Sequence, residues 1–345
     1  MMIIKRLIYI PYYIVKTNWR LFFKYARFVK NSRGKAYLSI YKDVLFTMVK
    51  HNASPLDYFS LRFYDMKEEE RACFACTGFI YEYQLQMNPK AHRVVLENKI
   101  EFLKRFKDFS GRKWATLPML KNDPFFAKFF LENAKGKIVI KGSTGQAGKQ
   151  VEVIAVPDNI PDDVIKLMET RGFDLLEYYV TQHDDLMKLS PSAVNTIRIV
   201  TQYFEDRVIV LLAFVRISVN ARVDNLSVGE YGVNFGAPIN LETGEICGEG
   251  VYLDITKPNV NKHPVTNTPI IGFKIPLWDE CYSLVTKAAA LTPENRSIGW
   301  DVAVTNEGPV LIEGNHNWNL LSMVPGGKGF RKDLLYYSSM LGHTD

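Results

Sequence analysis

Trp300-Asp301-Val302-Ala303-Val304-Thr305, then Asn306-Glu307-Gly308, then Pro309-Val310-Leu311-Ile312-Glu313-Gly314-Asn315, decides how this chain is read. Two apolar runs around a short turn containing Asn and Gly predict a β-hairpin. Pairing Thr305 with Pro309 places Asp301 opposite Glu313. Directly opposed side chains sit about 5 Å apart, close enough for two carboxylates to repel. Asn315 lies two residues further along and shares the face of Glu313. Oxygen ligands grouped this way suit a hard divalent cation, and magnesium in the gap would make the repulsion useful. The competing reading leaves Asp301 at a strand flank, Glu313 in water and Asn315 at the start of a turn.

Working outward, the chain of 345 residues is long enough for two or more compact lobes. Its 47% hydrophobic and 23% charged residues are ordinary globular values, which argues against a disordered or fibrous chain. No uninterrupted apolar run is long enough for a membrane-spanning helix. Cys73, Cys76, Cys247 and Cys281 form no disulfide framework or zinc pattern. Buried, reduced thiols in a cytoplasmic protein are expected, with a redox role for Cys73-x-x-Cys76 as the alternative.

The net charge of +6 is concentrated early, and no acidic residue precedes Asp43. Lys5, Arg6, Lys16, Arg20, Lys24, Arg27, Lys30, Arg33 and Lys35 alternate with Ile, Leu, Tyr, Phe and Trp. This pattern suits an amphipathic segment on an anionic membrane surface, at the inner face of the cell membrane. It equally suits a basic helical cap packed on the main fold. A signal peptide is disfavoured because Lys16 and Arg20 interrupt the apolar stretch. Nucleic acid is not an expected partner, since no recognition motif accompanies the charge.

Residues 1–90 read as mainly helical, with breaks near Pro11, Gly34 and Pro55. A helix over Asn98 to Phe109 ends near Gly111. Strands are expected at Lys137–Lys141, Val151–Val156, Asp174–Val180, Thr196–Thr201 and Val208–Val215, with helices from Pro161 and within Pro276–Ala290.

Between the first two strands lies Gly142-Ser143-Thr144-Gly145-Gln146-Ala147-Gly148-Lys149. Its glycines bring backbone N–H groups near phosphate oxygens, Ser143 and Thr144 add hydroxyl donors, and Lys141 and Lys149 add cations. Ala147 occupies the position where a Walker A motif needs glycine, and a strand rather than a helix follows, so neither that motif nor the dinucleotide fingerprint is present. A tight hairpin with no ligand is the competing reading. Leu175-Leu176-Glu177-Tyr178-Tyr179-Val180 reads as a connector beside a nucleoside, or simply as a buried strand. Arg198 and Arg216 are candidates to stabilise a transferring phosphoryl group, or ordinary ion-pair partners. His263, near Pro264, is a candidate for the acceptor pocket.

Together these residues resemble the ATP-grasp enzymes, and most closely the sugar-transfer-associated ATP-grasp family. The resemblance covers roughly residues 90–335 and is most specific in Val194-Asn195-Thr196-Ile197-Arg198-Ile199-Val200-Thr201, in Ile298 to Val304 and in Glu307 to Asn315. It implies an α+β protein whose two α/β lobes clasp ATP, after a helical region not explained by the family pattern. The implied domains are 1–90 (helical), 91–180 (first lobe with the glycine loop), 181–335 (second lobe with the metal site) and 336–345 (tail).

In the family reading, Lys141 and the loop with Gly142, Ser143, Thr144, Gly145, Gly148 and Lys149 hold the phosphates. Glu177, Tyr178, Tyr179 and Val180 border adenine and ribose. Asp301, Glu313 and Asn315 hold magnesium, with Lys141, Arg198 and Arg216 at the transferring group. The implied reaction activates a carboxylate as an acylphosphate for attack by an amine, on small-molecule substrates that include sugar-derived ones, in surface-polysaccharide or cell-envelope synthesis. A phosphotransferase acting on a hydroxyl, or a silent ATP-binding regulator, are the alternatives. Oligomeric state is not legible.

Overall fold

The computed structural model describes residues 9–134, 136–144, 151–156, 161–221, 223–226, 233–318 and 329–341. Helices α1 (Tyr9–Lys16), α2 (Trp19–Arg33), α3 (Tyr37–His51) and α4 (Thr77–Met87) build the N-terminal region. In α2 the Asn18 side chain caps the first turn by accepting from the Leu21 N–H, and Gly34 at φ 65° ends the helix. The buried positions Phe22, Tyr25, Ala26 and Val29 recur at helical spacing and so form one inward stripe. That stripe joins a cluster containing Val200, Leu212 and Phe214 from a sheet far away in sequence. Tyr25 donates to the Leu253 carbonyl at 3.1 Å and Lys24 pairs with Asp254 at 2.6 Å. The basic region is therefore packed on the main fold through this stripe, as the helical-cap reading expects.

Helix α5 (Lys99–Arg105) begins at Asn98, whose side chain accepts from the N–H groups of Ile100 and Glu101. Next come β1 (Trp114–Thr116), α6 (Pro124–Glu132), β2 (Lys137–Lys141), β3 (Val151–Ala155), α7 (Pro161–Arg171) and β4 (Leu175–Tyr178). The four strands form an antiparallel sheet in the order β1-β4-β2-β3. Phe130 and Leu131 of α6 and Val164 and Met168 of α7 pack with Ile138, Ile140 and Leu176 of that sheet.

The second sheet comprises β5 (Ile197–Phe204), β6 (Arg207–Ile217), β7 (Phe235–Pro238), β8 (Ser297–Thr305) and β9 (Gly308–Asn315), in the order β7-β6-β5-β8-β9. Helix α8 (Trp278–Ala290) precedes β8, and α9 (Arg331–Leu341) is the last described element. Alternate residues face opposite sides: Ala213 and Val215 pack with the α8 residues Cys281 and Val285, whereas Leu212 and Phe214 meet the N-terminal helices. Both faces are covered, so these strands are apolar nearly throughout.

Two boundaries differ from the expected ones. Phe102 and Phe106 pack into the core of the second sheet, with the Phe106 ring edge-on to Trp300 at 5.3 Å, so α5 belongs with the second lobe. Residues 336–341 are not tail: α9 is helical, and Leu334 and Tyr337 join the N-terminal core. Of the cysteines, Cys76 and Cys281 are buried free thiols as expected, while Cys73 and Cys247 are exposed.

Candidate active site

The hairpin of β8 and β9 brings Asp301 opposite Glu313, by a different route from the simple one. Thr305 pairs with Gly308 and Val304 with Pro309, one residue tighter than expected. A β-bulge then inserts Ile312 between the partners of Val302 and Asp301 and restores the Asp301–Glu313 register. The bulge also points Ile312 into a cavity of about 230 Å³ between the two sheets.

Asp301 is 2% exposed and is held on two sides. Arg198, its cross-strand neighbour, gives Nε to Oδ1 at 2.5 Å and Nη2 to Oδ2 at 2.9 Å. Arg216 approaches the same carboxylate at 3.2 Å. Burial alone would raise the pKa of Asp301, but the two guanidinium groups outweigh it and hold the group ionised well below the usual carboxylate range. Glu313 is shifted the other way: burial raises it, and the adjacent Asp301 charge raises it further. The Asn315 amide donates to Glu313 Oε1 at 3.1 Å and lies 3.4 Å from Asp301 Oδ2.

The donor set fits magnesium. Among the described residues no group of three or more His, Cys, Asp or Glu is placed to hold a metal. Two opposed carboxylates offer hard oxygens to a magnesium ion whose remaining ligands are phosphate oxygens and water, while Asn315 turns its amide nitrogen toward them. Asp301 and Glu313 stand directly opposite each other across β8 and β9, and a cation between them would offset their charge.

The opposite wall carries cations. Lys141, at the end of β2, places Nζ 2.8 Å from Glu177 Oε2, and Arg112 places Nε 2.8 Å from the same oxygen. Burial opposes ionisation of Glu177, but Arg112 and Lys141 overcome it and bring its pKa down to about 2. Glu177 lines the cavity, and its carboxylate is engaged by these two cations. Arg112 also donates to the Ile312 carbonyl at 3.0 Å and to that of Leu311, linking the first sheet to the bulge of the second. Tyr178, Tyr179 and Val180 border the cavity beside them.

Several predicted residues sit elsewhere. Arg198 is not among those lining the cavity; it stands behind Asp301, in space left by Gly299. Ser143 gives both its N–H and its hydroxyl to Asp174, each at 2.6 Å, so these donors anchor a turn. Gly142 accepts from Lys99 through its carbonyl, and Thr144 is exposed. Gly145, Gly148 and Lys149 lie outside the described residues. His263 is a buried structural residue: Nε2 meets the Ser218 carbonyl at 2.9 Å and Nδ1 accepts from the Thr266 N–H, so it does not face the cavity.

Three charged lining residues were not assigned from sequence: Lys99, Arg112 and Asp224. Lys99 has its pKa lowered by burial and by neighbouring Lys141, against the pull of Glu313 and Glu177. Asp224 accepts from the Thr196 N–H at 2.7 Å and from its hydroxyl, opposite Arg216. Burial works against the charge of Arg216, but Asp301, Asp224 and Glu313 more than compensate and raise its pKa.

Among known proteins, the model of the sugar-transfer associated ATP-grasp family matches residues 79–336. Solved structures of similar fold include the ATP-grasp ligase PsnB with a phosphomimetic variant of its minimal precursor, Mg and ADP. That pair shares 13% identity at a TM-score of 0.42, over 73% of this chain and 61% of the other. D-alanine–D-alanine ligase from Bacillus anthracis shares 11% identity at a TM-score of 0.42, over 72% of this chain and 68% of the other. The chain thus spans about three fifths of the PsnB ligase. No curated protein matches the sequence. With three quarters of its length matched by one family model, the chain belongs to the sugar-transfer associated ATP-grasp family.

Proposed function

We propose that this chain joins a carboxylate to an amine in an ATP-driven condensation, on small, sugar-derived substrates of surface-polysaccharide or cell-envelope assembly in the cytoplasm. The observation that carries the reading is the charge of the cleft, which brings Lys141 and Lys99 together with Asp301 and Glu313 around one cavity. Bound ATP and Mg2+ supply the phosphoryl group that activates the carboxylate and the positive charge that offsets its oxygens.

The chain's own residues position and neutralise. Glu177 holds the Lys141 ammonium at the cavity edge, where a phosphate oxygen gains a compact cation. Asp301 and Glu313 present oxygens for the metal, and Arg198 keeps Asp301 ionised and oriented. Arg216 reaches both Asp301 and the cavity, and in this reading it meets developing charge on a transferred phosphoryl group. No side-chain nucleophile is needed. The sugar-related substrate class rests on the family's description.

Mass-resolved turnover with Mg-ATP and a panel of amino acids, uronic acids and amino sugars tests this. An adduct equal to donor plus acceptor less one water, formed together with ADP and phosphate, supports it. An acceptor that gains only phosphate would make the protein a phosphotransferase. Absence of nucleotide binding would overturn the site itself.

A further inference from the structure

The N-terminal helices have a second apolar face that points away from the core. Helices α1, α2 and α3 border an open groove of about 300 Å³ lined by Ile10, Ile14, Trp19, Phe23, Tyr41 and Leu45. Phe22 and Val44 close its floor and are buried, but Ile14 is 54%, Phe23 53% and Leu45 53% exposed, and Val15 beside them is 78% exposed. Side chains of this size grouped on a surface mark an interaction site.

The charge around the groove indicates the occupant. Lys16, Arg20, Arg27 and Lys42 are exposed on the same three helices, and none has an acidic partner among the described residues. The first acidic residue of the chain, Asp43, is already engaged by Arg71 and Tyr58. Arg27 follows Phe23 by four residues, so a basic side chain shares a helix face with an apolar one that lines the groove, and Lys42 and Phe46 pair the same way at a neighbouring hollow. A second copy of this chain seated on the groove would bring like charges together, and so would the chain's own residues 1–8, which carry Lys5 and Arg6. An anionic bilayer surface satisfies both halves of the pattern: its acyl boundary takes the apolar side chains and its headgroups take the cations. Trp19 and Tyr41 are residue types that settle at that boundary.

We propose that α1–α3 form a docking face for an anionic lipid bilayer. No helix among the described residues is long and apolar enough to cross a membrane, so the contact lies in the interface plane. The inference is independent of the ligase chemistry, since none of these residues lines the catalytic cavity.

Co-sedimentation of the full chain with phosphatidylcholine vesicles, and with vesicles also containing phosphatidylserine, tests it. Binding is expected only with phosphatidylserine present and should weaken as salt rises. Arg20→Glu with Arg27→Glu should reduce that binding about tenfold or more. Phe23→Ser with Leu45→Ser should reduce it comparably while the protein stays folded and its ATP binding is unchanged. Equal binding to both vesicle types, no binding to either, or full binding by either double variant would overturn the proposal. Self-association abolished by the same substitutions, without vesicle binding, would overturn it in favour of a second copy.

Discussion

Arg198 on β5 grips both carboxylate oxygens of Asp301 on β8, at 2.5 and 2.9 Å, from directly across the strand pair. A planar fork meeting a carboxylate on two atoms fixes the orientation of that carboxylate as well as its charge. Arg198 thereby acts on the cavity through Asp301.

Arg198→Lys keeps the charge and loses the fork. Turnover should fall about a hundredfold with the fold retained, because misplacement of an oxygen ligand acts directly on the barrier. Arg198→Ala should in addition destabilise the protein by ~3–5 kcal/mol, by leaving Asp301 buried with Arg216 alone. Circular dichroism melts alongside turnover separate the two effects; unchanged turnover in Arg198→Lys would remove Arg198 from the account.

Gly299 makes room for this grip. A Cβ there would sit 2.7 Å from Trp318 Cβ and 3.2 Å from Arg198 Cδ, and both neighbours are buried. Gly299→Ala should cost ~1–3 kcal/mol, read as a lower urea midpoint at unchanged slope.

Glu177 gives a pH signature. Its folded pKa of about 2 lies below the ordinary glutamate value of 4.5. A depressed carboxylate contributes stability that is complete above the unfolded value and is lost as pH falls through the folded one. The stability gap between wild type and Glu177→Gln should therefore be largest near neutral pH, on the order of 3 kcal/mol, and shrink as pH falls from 4.5 toward 2. Denaturant melts across that range check it, and a gap independent of pH would contradict it.

Glu313 and Asp301 should respond oppositely to neutralisation. Without magnesium, Glu313→Gln relieves repulsion and should raise stability by about 0.5–1 kcal/mol, whereas Asp301→Asn strands two buried guanidiniums and should lower it by ~3 kcal/mol. Both should weaken magnesium-dependent ATP binding, as measured by titration calorimetry at varied magnesium concentrations. Equal stability changes would show that the two carboxylates do not differ in environment.

Much of this site is legible in the chain because strand alternation and turn spacing are local. Counting from Thr305 and Pro309 gives the opposition of Asp301 and Glu313 only because a turn one residue tighter is offset by the bulge at Ile312, and neither departure leaves a mark in sequence. Lys99 and Arg112 resemble solvated charges in a helical and loop segment; only packing against the second sheet shows that they face a cavity. Glu177 was legible as a lining residue, but its partner Arg112 stands 65 positions away, a pairing that strand order alone creates. His263 and Ser143 show the converse: residues with chemical potential whose polar atoms are already engaged by neighbouring backbone or by Asp174. The placement of Phe102 and Phe106 in the second lobe was likewise hidden, since an amphipathic helix does not say which sheet it will cover.

The central claim is that a carboxylate is activated by phosphorylation in the cleft between the two sheets. Incubating the enzyme with Mg-ATP, amine acceptors and candidate acids carrying oxygen-18 in the carboxyl group tests it most directly. If an acylphosphate forms and an amine displaces phosphate, one labelled oxygen must leave with the phosphate and the other remain in the amide. Labelled phosphate that disappears in Glu313→Gln is the result predicted. A condensed product formed while the released phosphate carries no label would contradict the mechanism.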